Sequence, residues 1–421
     1  MSSLEHLLSA AGEAPLMNSL DFTLPPSSSA VIDRKQHKRA YPSSASTLSP
    51  TGTKTCRIRL GGEEFIDPKS VRLMFKITET GGAAALTPTC GPWGMWDQVF
   101  LRSGGCQLDD VQAYGRMHQQ FLWNHLSQDQ QYGEAGITGF AGSEVAASSK
   151  NLPQLGTIAA NGSYTVMHRL GLSLFNSDRM IPCRYAPLEV ELTLGAAANW
   201  LAAATSQTYI ITDVQVLYHS YQMDSAIEES FYKAMLASRT LSVPVMNVTQ
   251  IVQSIPAGST SYSFNVARSY SRLSHVWLTF RNNAVVGKSS SFICPLNITA
   301  NAGATPALSY QSPTARLSLG PKNLPDPQPA STIPELFYQF QNAIPNIPNI
   351  NRDDFLTRAF SLVFDLRRVP EDPTTALSSR SGDQIHVDLQ NITADHANEC
   401  WCTIFSFGVV AVRESGVTLL N

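Results

Sequence analysis

The second half of this chain repeats the order of elements in the first half without repeating the residues. Leu188–Leu194 reads LEVELTL, with Leu188, Val190, Leu192 and Leu194 alternating against Glu189, Glu191 and Thr193. Residues 385–389 read IHVDL, with Ile385, Val387 and Leu389 alternating against His386 and Asp388. A period of two marks a strand with one face buried and the other wet. After a short loop, each of these strands is followed by a long apolar strand, 209–218 in the first half and 400–412 in the second. Upstream of each lies one isolated helical stretch, and upstream of that an aromatic strand. Val99 thereby aligns with Trp277, and Val190 with Val387. A chain that builds one all-β unit twice reads as a structural building block rather than an enzyme with one site.

The pattern predicts further strands at 56–60, 71–78, 96–102 and 164–170 in the first half. In the second half it predicts them at 243–252, 262–266, 273–281, 360–367 and 384–392. Ser225 with Glu228, and Thr332 with Glu335, form capping boxes that open helices over Ser225–Leu236 and Ile333–Ala343; a third helical stretch carries Met117, Phe121 and Leu122. The stretch 282–331 reads as one long loop. The expected fold is all-β: two tandem eight-stranded antiparallel jelly-roll β-sandwiches with short helices in the loops. The expected boundaries are an N-terminal arm at 1–54, a first jelly roll at 55–222, a linker helix at 223–239 and a second jelly roll at 240–421.

The arm does not read as core. Ser2 with Glu5 forms a capping box, and Leu4, Leu7, Leu8 and Ala11 follow on one face of a short amphipathic helix. A Pro/Ser-rich stretch at 25–52 contains a small basic cluster, Arg34, Lys35, Lys38 and Arg39. Two readings stand for that cluster: contact with packaged nucleic acid or a neighbouring subunit at an inner surface, or a solvated arm. Four cations are few for tight binding by counterion release.

Charged residues make up 15% of the 421 residues, against a usual share of about 25%. Such a surface suits a protein that hides much of itself against neighbours, because interface cores are depleted of charge. The net charge of -3 gives no global attraction to nucleic acid. Seven dispersed cysteines, an odd number, argue for reduced thiols in a cytosolic or nuclear setting. No signal peptide is expected, and the longest nearly unbroken apolar stretch, 13 residues at 400–412, is too short to span a bilayer.

The search for chemistry yields little. Jelly-roll enzymes of the cupin kind need two histidines flanking one residue on a strand, and the nine histidines contain no such pair. His118 and His125 lack a glutamate beside His118, so a zinc-protease helix is not indicated. Cys400-Trp401-Cys402 has no second ligand pair at zinc spacing and reads as core. Gly287-Lys288-Ser289 resembles the end of a phosphate loop, but Asn282 stands where the first glycine belongs. No catalytic residue, cofactor or metal ligand is assigned.

The stretch 172–195, LSLFNSDRMIPCRYAPLEVELTLG, joins a polar loop, a Pro-Arg-Tyr-Pro-like lead-in at 181–187 and an alternating strand. It resembles the first jelly roll of double jelly-roll major capsid proteins such as those of polinton-like viruses and virophages. The resemblance implies a homotrimer forming a pseudo-hexameric capsomer, which tiles an icosahedral shell around double-stranded DNA. It further implies neighbouring capsomers, penton and minor capsid proteins as partners, DNA contact through the arm, and location in the virion after assembly in host cytoplasm or nucleus. Two alternatives stay open: a single jelly-roll capsid protein with a projecting domain, as in small RNA viruses, or a tandem β-sandwich carbohydrate-binding protein or bicupin.

Overall fold

The computed structural model describes residues 32–82, 84–123, 137–138, 157–202, 207–236, 240–266, 268–282, 288, 292, 314–325, 332–343, 355–356, 359–369, 375–380, 384–392, 399–413 and 416–420. The first half contains β1 (Ile32–Ala40), β2 (Thr55–Leu60), the two-residue β3 (Phe65–Ile66), β4 (Arg72–Glu79), β5 (Trp96–Ser103), β6 (Cys106–Gln112), β7 (Ser163–Arg169), the two-residue β8 (Ile181–Pro182), β9 (Leu188–Leu194) and β10 (Tyr209–Met223). Its two sheets run β1-β10-β4-β7 and β2-β9-β5-β6, with β3 and β8 appended beside β10.

The second half contains β11 (Leu241–Ser254), β12 (Ser261–Val266), β13 (Leu273–Arg281), β14 (Thr314–Leu319), β15 (Lys322–Leu324), β16 (Leu362–Asp365), β17 (Ile385–Gln390) and β18 (Glu399–Arg413). These pair as β11-β18-β13-β16 and β12-β17-β14-β15, and β19 (Gly416–Leu420) folds back on β18. Leaving aside β3, β8 and β19, both halves place their first, eighth, third and sixth strands in one sheet. Their second, seventh, fourth and fifth strands form the other. That is the jelly-roll order, built twice.

The repeat seen in the sequence therefore holds at β9 and β17, which are both seventh strands, and at β10 and β18, both eighth. One alignment is corrected: Val99 lies on β5, a fourth strand, whereas Trp277 lies on β13, a third. The true counterpart of β5 is β14, inside the stretch expected to be loop. β14 is only six residues long and bounded by loop-rich sequence, so its TARLSL alternation was too brief to stand out.

Alternation delivers the core. Leu73, Phe75 and Ile77 of β4 are buried, as are all four leucine and valine positions of β9. Phe75 meets Trp96 edge-on with ring centroids 5.3 Å apart. The helices occupy equivalent places, since α1 (Tyr114–Met117, continuing as a π-helical stretch His118–Trp123) and α3 (Ile333–Ala343) each join the fifth strand of a roll to the sixth. α3 buries Ile333, Leu336, Phe340 and Ala343 on one face. The Thr332 hydroxyl accepts from the Glu335 amide at its N-terminus, as expected. α2 (Ser225–Leu236) links the rolls, but its cap is Asp224 rather than Ser225, with Oδ1 accepting from the Ala226 amide at 2.7 Å.

The expected arm is also corrected. Ile32–Ala40 is the first strand of the first roll, antiparallel to β10 from Ile32↔Met223 to Ala40↔Val216. Leu48 is fully buried and exchanges backbone hydrogen bonds with Ile211 at 2.8 and 2.9 Å. β1 escaped detection because Ala40 is its only buried residue among those whose side chains are described; it belongs to the sheet through backbone pairing, which leaves no hydrophobic period. The helix expected around Leu4, Leu7 and Leu8 falls outside the described residues.

The strand order also gives the subunit a direction. In each roll the connections after the first, third, fifth and seventh strands gather at one end. In the first roll they are 41–54, 80–95, 113–162 and 195–208, and in the second 255–260, 282–313, 325–361 and 391–398. The opposite end carries the tight turns at Gly104–Gly105 and 320–321, and its longest connections, 170–187 and 366–384, are shorter than 113–162, 282–313 and 325–361. β6 and β11 pair in parallel, through Thr249 and Asp110, and merge the two halves into one nine-stranded sheet. β6 and β11 both run toward the long-loop end of their own roll, so the parallel pairing points both long-loop ends the same way. The start of β1, the linker α2 and the chain end beyond β18 all lie at the other end.

These contacts separate two truncations. Removing residues 1–31 should leave the melting temperature within about 2 °C of the full chain. Removing 1–54 strips β1 and Leu48 from the first roll and should abolish cooperative folding of that roll, read by near-ultraviolet circular dichroism during thermal unfolding.

Candidate functional site

The basic cluster lies on β1, and the pleat divides it. Lys35, His37 and Arg39 project from the outer face of the sheet, while Arg34, Gln36, Lys38 and Ala40 point to the opposite face. Lys38 is half-buried and salt-bridged to Glu64 at 2.7 Å. Lys35 lies over the Tyr221 ring, 5.5 Å from its centroid. The four cations are thus not one patch on a free arm.

Buried polar contacts also mark the seam between the two rolls. Arg116, on α1 of the first roll, is 1% exposed. Its guanidinium donates to Thr279 Oγ1 at 3.2 Å, to the Phe280 carbonyl at 3.1 Å and to the Lys288 carbonyl at 3.1 Å, all in the second roll. It also lies 4.3 Å from the centroid of Phe292. Burial, with Arg281 nearby, pulls its pKa down to about 9, and Glu399 opposes that shift; the group stays charged at neutral pH. In the reverse direction Lys288 reaches Asp97 of the first roll at 3.0 Å and lies over Trp401 at 5.0 Å. Phe121 inserts between Trp277 and Phe405, with centroids at 4.8 and 4.6 Å and edge-on geometry. The lysine that resembled a phosphate-loop residue is a seam ion pair.

Beneath α1 sits a histidine–aromatic cluster. The Arg169 carbonyl receives His118 Nε2 at 3.0 Å, His168 Nδ1 at 3.0 Å and the Tyr114 hydroxyl at 3.5 Å. A carbonyl only accepts, so both ring nitrogens carry protons there, which sets the tautomers. His118 stacks on Trp93 at 4.3 Å. Burial holds His118 well below its ordinary pKa, with His168 adding to the shift, and burial brings His168 down to about 4. These neutral rings act as packing groups. His125 lies outside the described residues.

The other sequence candidates are also placed in the core or in ion pairs. Cys400 and Cys402 are fully buried, and burial pushes the Cys402 thiol up to about 12, far from a reactive thiolate. Glu189 and Glu191 form a charge ladder with Arg59, Arg57 and Arg102 across β2, β9 and β5, at 3.2, 3.0 and 3.0 Å. A cleft of about 490 Å³ beside that ladder is lined by Arg59, Gly61, Arg102, Gly104, Gly105 and Glu189. Among the described residues no three His, Cys, Asp or Glu side chains are grouped to hold a metal ion, and no helix is long and apolar enough to cross a membrane. Sequence reasoning missed Arg116, because a single arginine in a helical stretch carries no signal that its partners lie some 160 residues away.

No family model and no curated protein sequence matches the chain. Solved structures do. PBCV-1 VP54, fitted into a reconstruction of the virophage Sputnik, superposes with a TM-score of 0.63 at 12% identity, covering 92% of this chain and 96% of that one. The Faustovirus major capsid protein gives 0.56 at 10% identity, with 99% and 96% covered. The mavirus major capsid protein gives 0.51 at 10% identity, with 97% and 95% covered. At such identities the likeness is one of fold: this chain has the double jelly-roll architecture of these viral proteins.

Replacing Arg116 by Met should cost roughly 3–5 kcal/mol, because buried acceptors lose their donors. It should also split a single denaturant transition into two, as the rolls uncouple. Acid should destabilise the chain through its buried histidines. His118, His168 and His275 have depressed folded pKa values, the last two at about 4, so the stability they contribute is present above the unfolded value of 6.5 and lost as pH falls toward 4. Asp109, pushed up to about 6 by burial, works the other way: its contribution is full below 3.8 and lost as pH rises through 6. Three protons against one leave a net loss of about 2–3 kcal/mol per pH unit near pH 5. Urea unfolding at pH 7.5, 6.5, 5.5 and 4.5 measures that slope, and His168→Gln should flatten it by about one proton.

Proposed function

We propose that this chain is a major capsid protein: three copies close into a pseudo-hexameric capsomer, and capsomers tile an icosahedral shell. The observation that carries the reading is the parallel pairing of β6 with β11. It sets two equivalent rolls side by side with the longest connections of both at one end and the start of β1, the linker and the finish of β18 at the other. A subunit of this kind is a polar tile, with one decorated side and one side from which the N-terminal segment departs. Two similar rolls per chain give three chains a near-sixfold outline, and closed threefold symmetry needs only one heterologous interface.

In this reading the short-turn end faces the interior. Residues 1–31, with the exposed Arg34 and Lys35 where β1 begins, are the proposed contact with packaged DNA or with a neighbouring capsomer. The role is structural rather than catalytic, the location is the virion, and penton and minor capsid proteins are the proposed further partners. The small-RNA-virus alternative does not fit, because the second half is a full jelly roll in the same strand order rather than a projecting domain of another fold.

Light scattering of the purified chain should report three copies per particle at micromolar concentration. Negative-stain microscopy should show hexagonal capsomers and, under assembly conditions, closed shells. A monodisperse monomer that never yields either would overturn the reading. Truncation of residues 1–31 should keep the trimer and lower shell yield.

A further inference from the structure

His37 of β1 and His219 of β10 are direct cross-strand partners. The His219 amide donates to Ser70 Oγ at 2.9 Å, and its carbonyl accepts from the Asp67 amide at 3.1 Å. Both backbone groups of His219 thus point away from β1. The His37–His219 pair is therefore a non-hydrogen-bonded one, the position in an antiparallel ladder where facing side chains come closest. The ring centroids are 4.3 Å apart at an interplanar angle of 83°. His37 is exposed and His219 half-buried, so both rings stand on the open face of the sheet and can turn about their terminal torsions.

We propose that His37 and His219 form a two-imidazole site for a divalent transition-metal ion of the Cu²⁺, Ni²⁺ or Zn²⁺ class, which clips β1 to β10. Neutral imidazole is the ligand such ions favour, and hard ions of the Mg²⁺ class prefer oxygen. His219 is available in that form at neutral pH, since partial burial and the neighbouring His37 and Lys35 lower its pKa. Two protein ligands leave the remaining positions to water. The charged groups around the pair are Lys35 and Arg39 on β1 and the Asp67 carboxylate from the turn after β3. The two cations weaken the site and the carboxylate partly offsets them. Among the described residues the close pair His118 and His168 is no rival, because it is enclosed and both rings are fastened to the Arg169 carbonyl.

The consequence is local. β1 is held in the first roll mainly by backbone pairing with β10. A metal clip midway along β1 raises the cost of peeling it away, whether or not the chain builds a shell.

Calorimetric titration of the full chain at pH 7.5 with CuCl₂, NiCl₂, ZnCl₂ and MgCl₂ separately tests this. One ion per chain is expected, with Cu²⁺ tighter than Ni²⁺ or Zn²⁺ and no binding of Mg²⁺. His37→Gln and His219→Gln should each weaken binding at least tenfold, and Arg39→Gln should tighten it. Hydrogen exchange of the β1 amides should slow several-fold on adding ZnCl₂ to the wild type and stay unchanged in His37→Gln. Equal melting temperatures in EDTA check that the variants fold; should His219→Gln fail, the exposed His37 carries the comparison alone. Absence of binding, or binding that survives either substitution, overturns the site. Binding that leaves β1 exchange unchanged overturns the clip.

Discussion

One buried guanidinium holds the two halves of this molecule in a common frame. Arg116 leaves the first roll and spends its hydrogen bonds on Thr279, Phe280 and Lys288 of the second. An arginine taken out of water is costly unless its donors are met. Here they are met only when the third strand of the second roll and the segment after it are in place. Lys288 returns the contact to Asp97, so a polar tie crosses the seam in each direction, and Phe121 packs edge-on against Trp277 and Phe405 of the second roll. Beside that tie the parallel contact of β6 with β11 adds one ladder pair, and Arg179 of the first roll donates to the Ser242 carbonyl of the second at 2.9 Å.

Orientation matters because polarity follows from it. A jelly roll already sorts its connections into two ends. Joining two rolls in parallel doubles that asymmetry instead of cancelling it, and the longest connections of both halves share one side. The low charge content has its place here too. The Arg–Glu ladder on β2, β9 and β5 satisfies its own charges across strands, leaving a sheet face that offers little net field to a neighbour.

The interior tells the same story of structure over chemistry. Groups that elsewhere serve catalysis are held here in their unreactive forms: neutral histidines fastened to one carbonyl, and thiols pushed far above neutrality by burial. Their titration links the fold to pH.

Much of this was legible from residues alone. LEVELTL and IHVDL announced matching seventh strands, because a period of two is imposed by the pleat itself and survives any tertiary setting. The capped helix Ile333–Ala343 was equally local, since Thr332 and the apolar face lie within one element. What the sequence could not disclose was whatever depends on partners far along the chain. β1 is polar almost throughout and is a strand only because β10 offers it a backbone ladder. β14 is too short to declare itself without β17 beside it. The division of Arg34, Lys35, Lys38 and Arg39 between two faces follows from that same pairing. The seam arginine is one residue whose meaning lies 163 positions away at Thr279. Local periodicity determined the all-β duplication; only long-range pairing decided where the first roll begins and how the two rolls face, because backbone hydrogen bonds and buried charge are satisfied by three-dimensional neighbours that no sequence window contains.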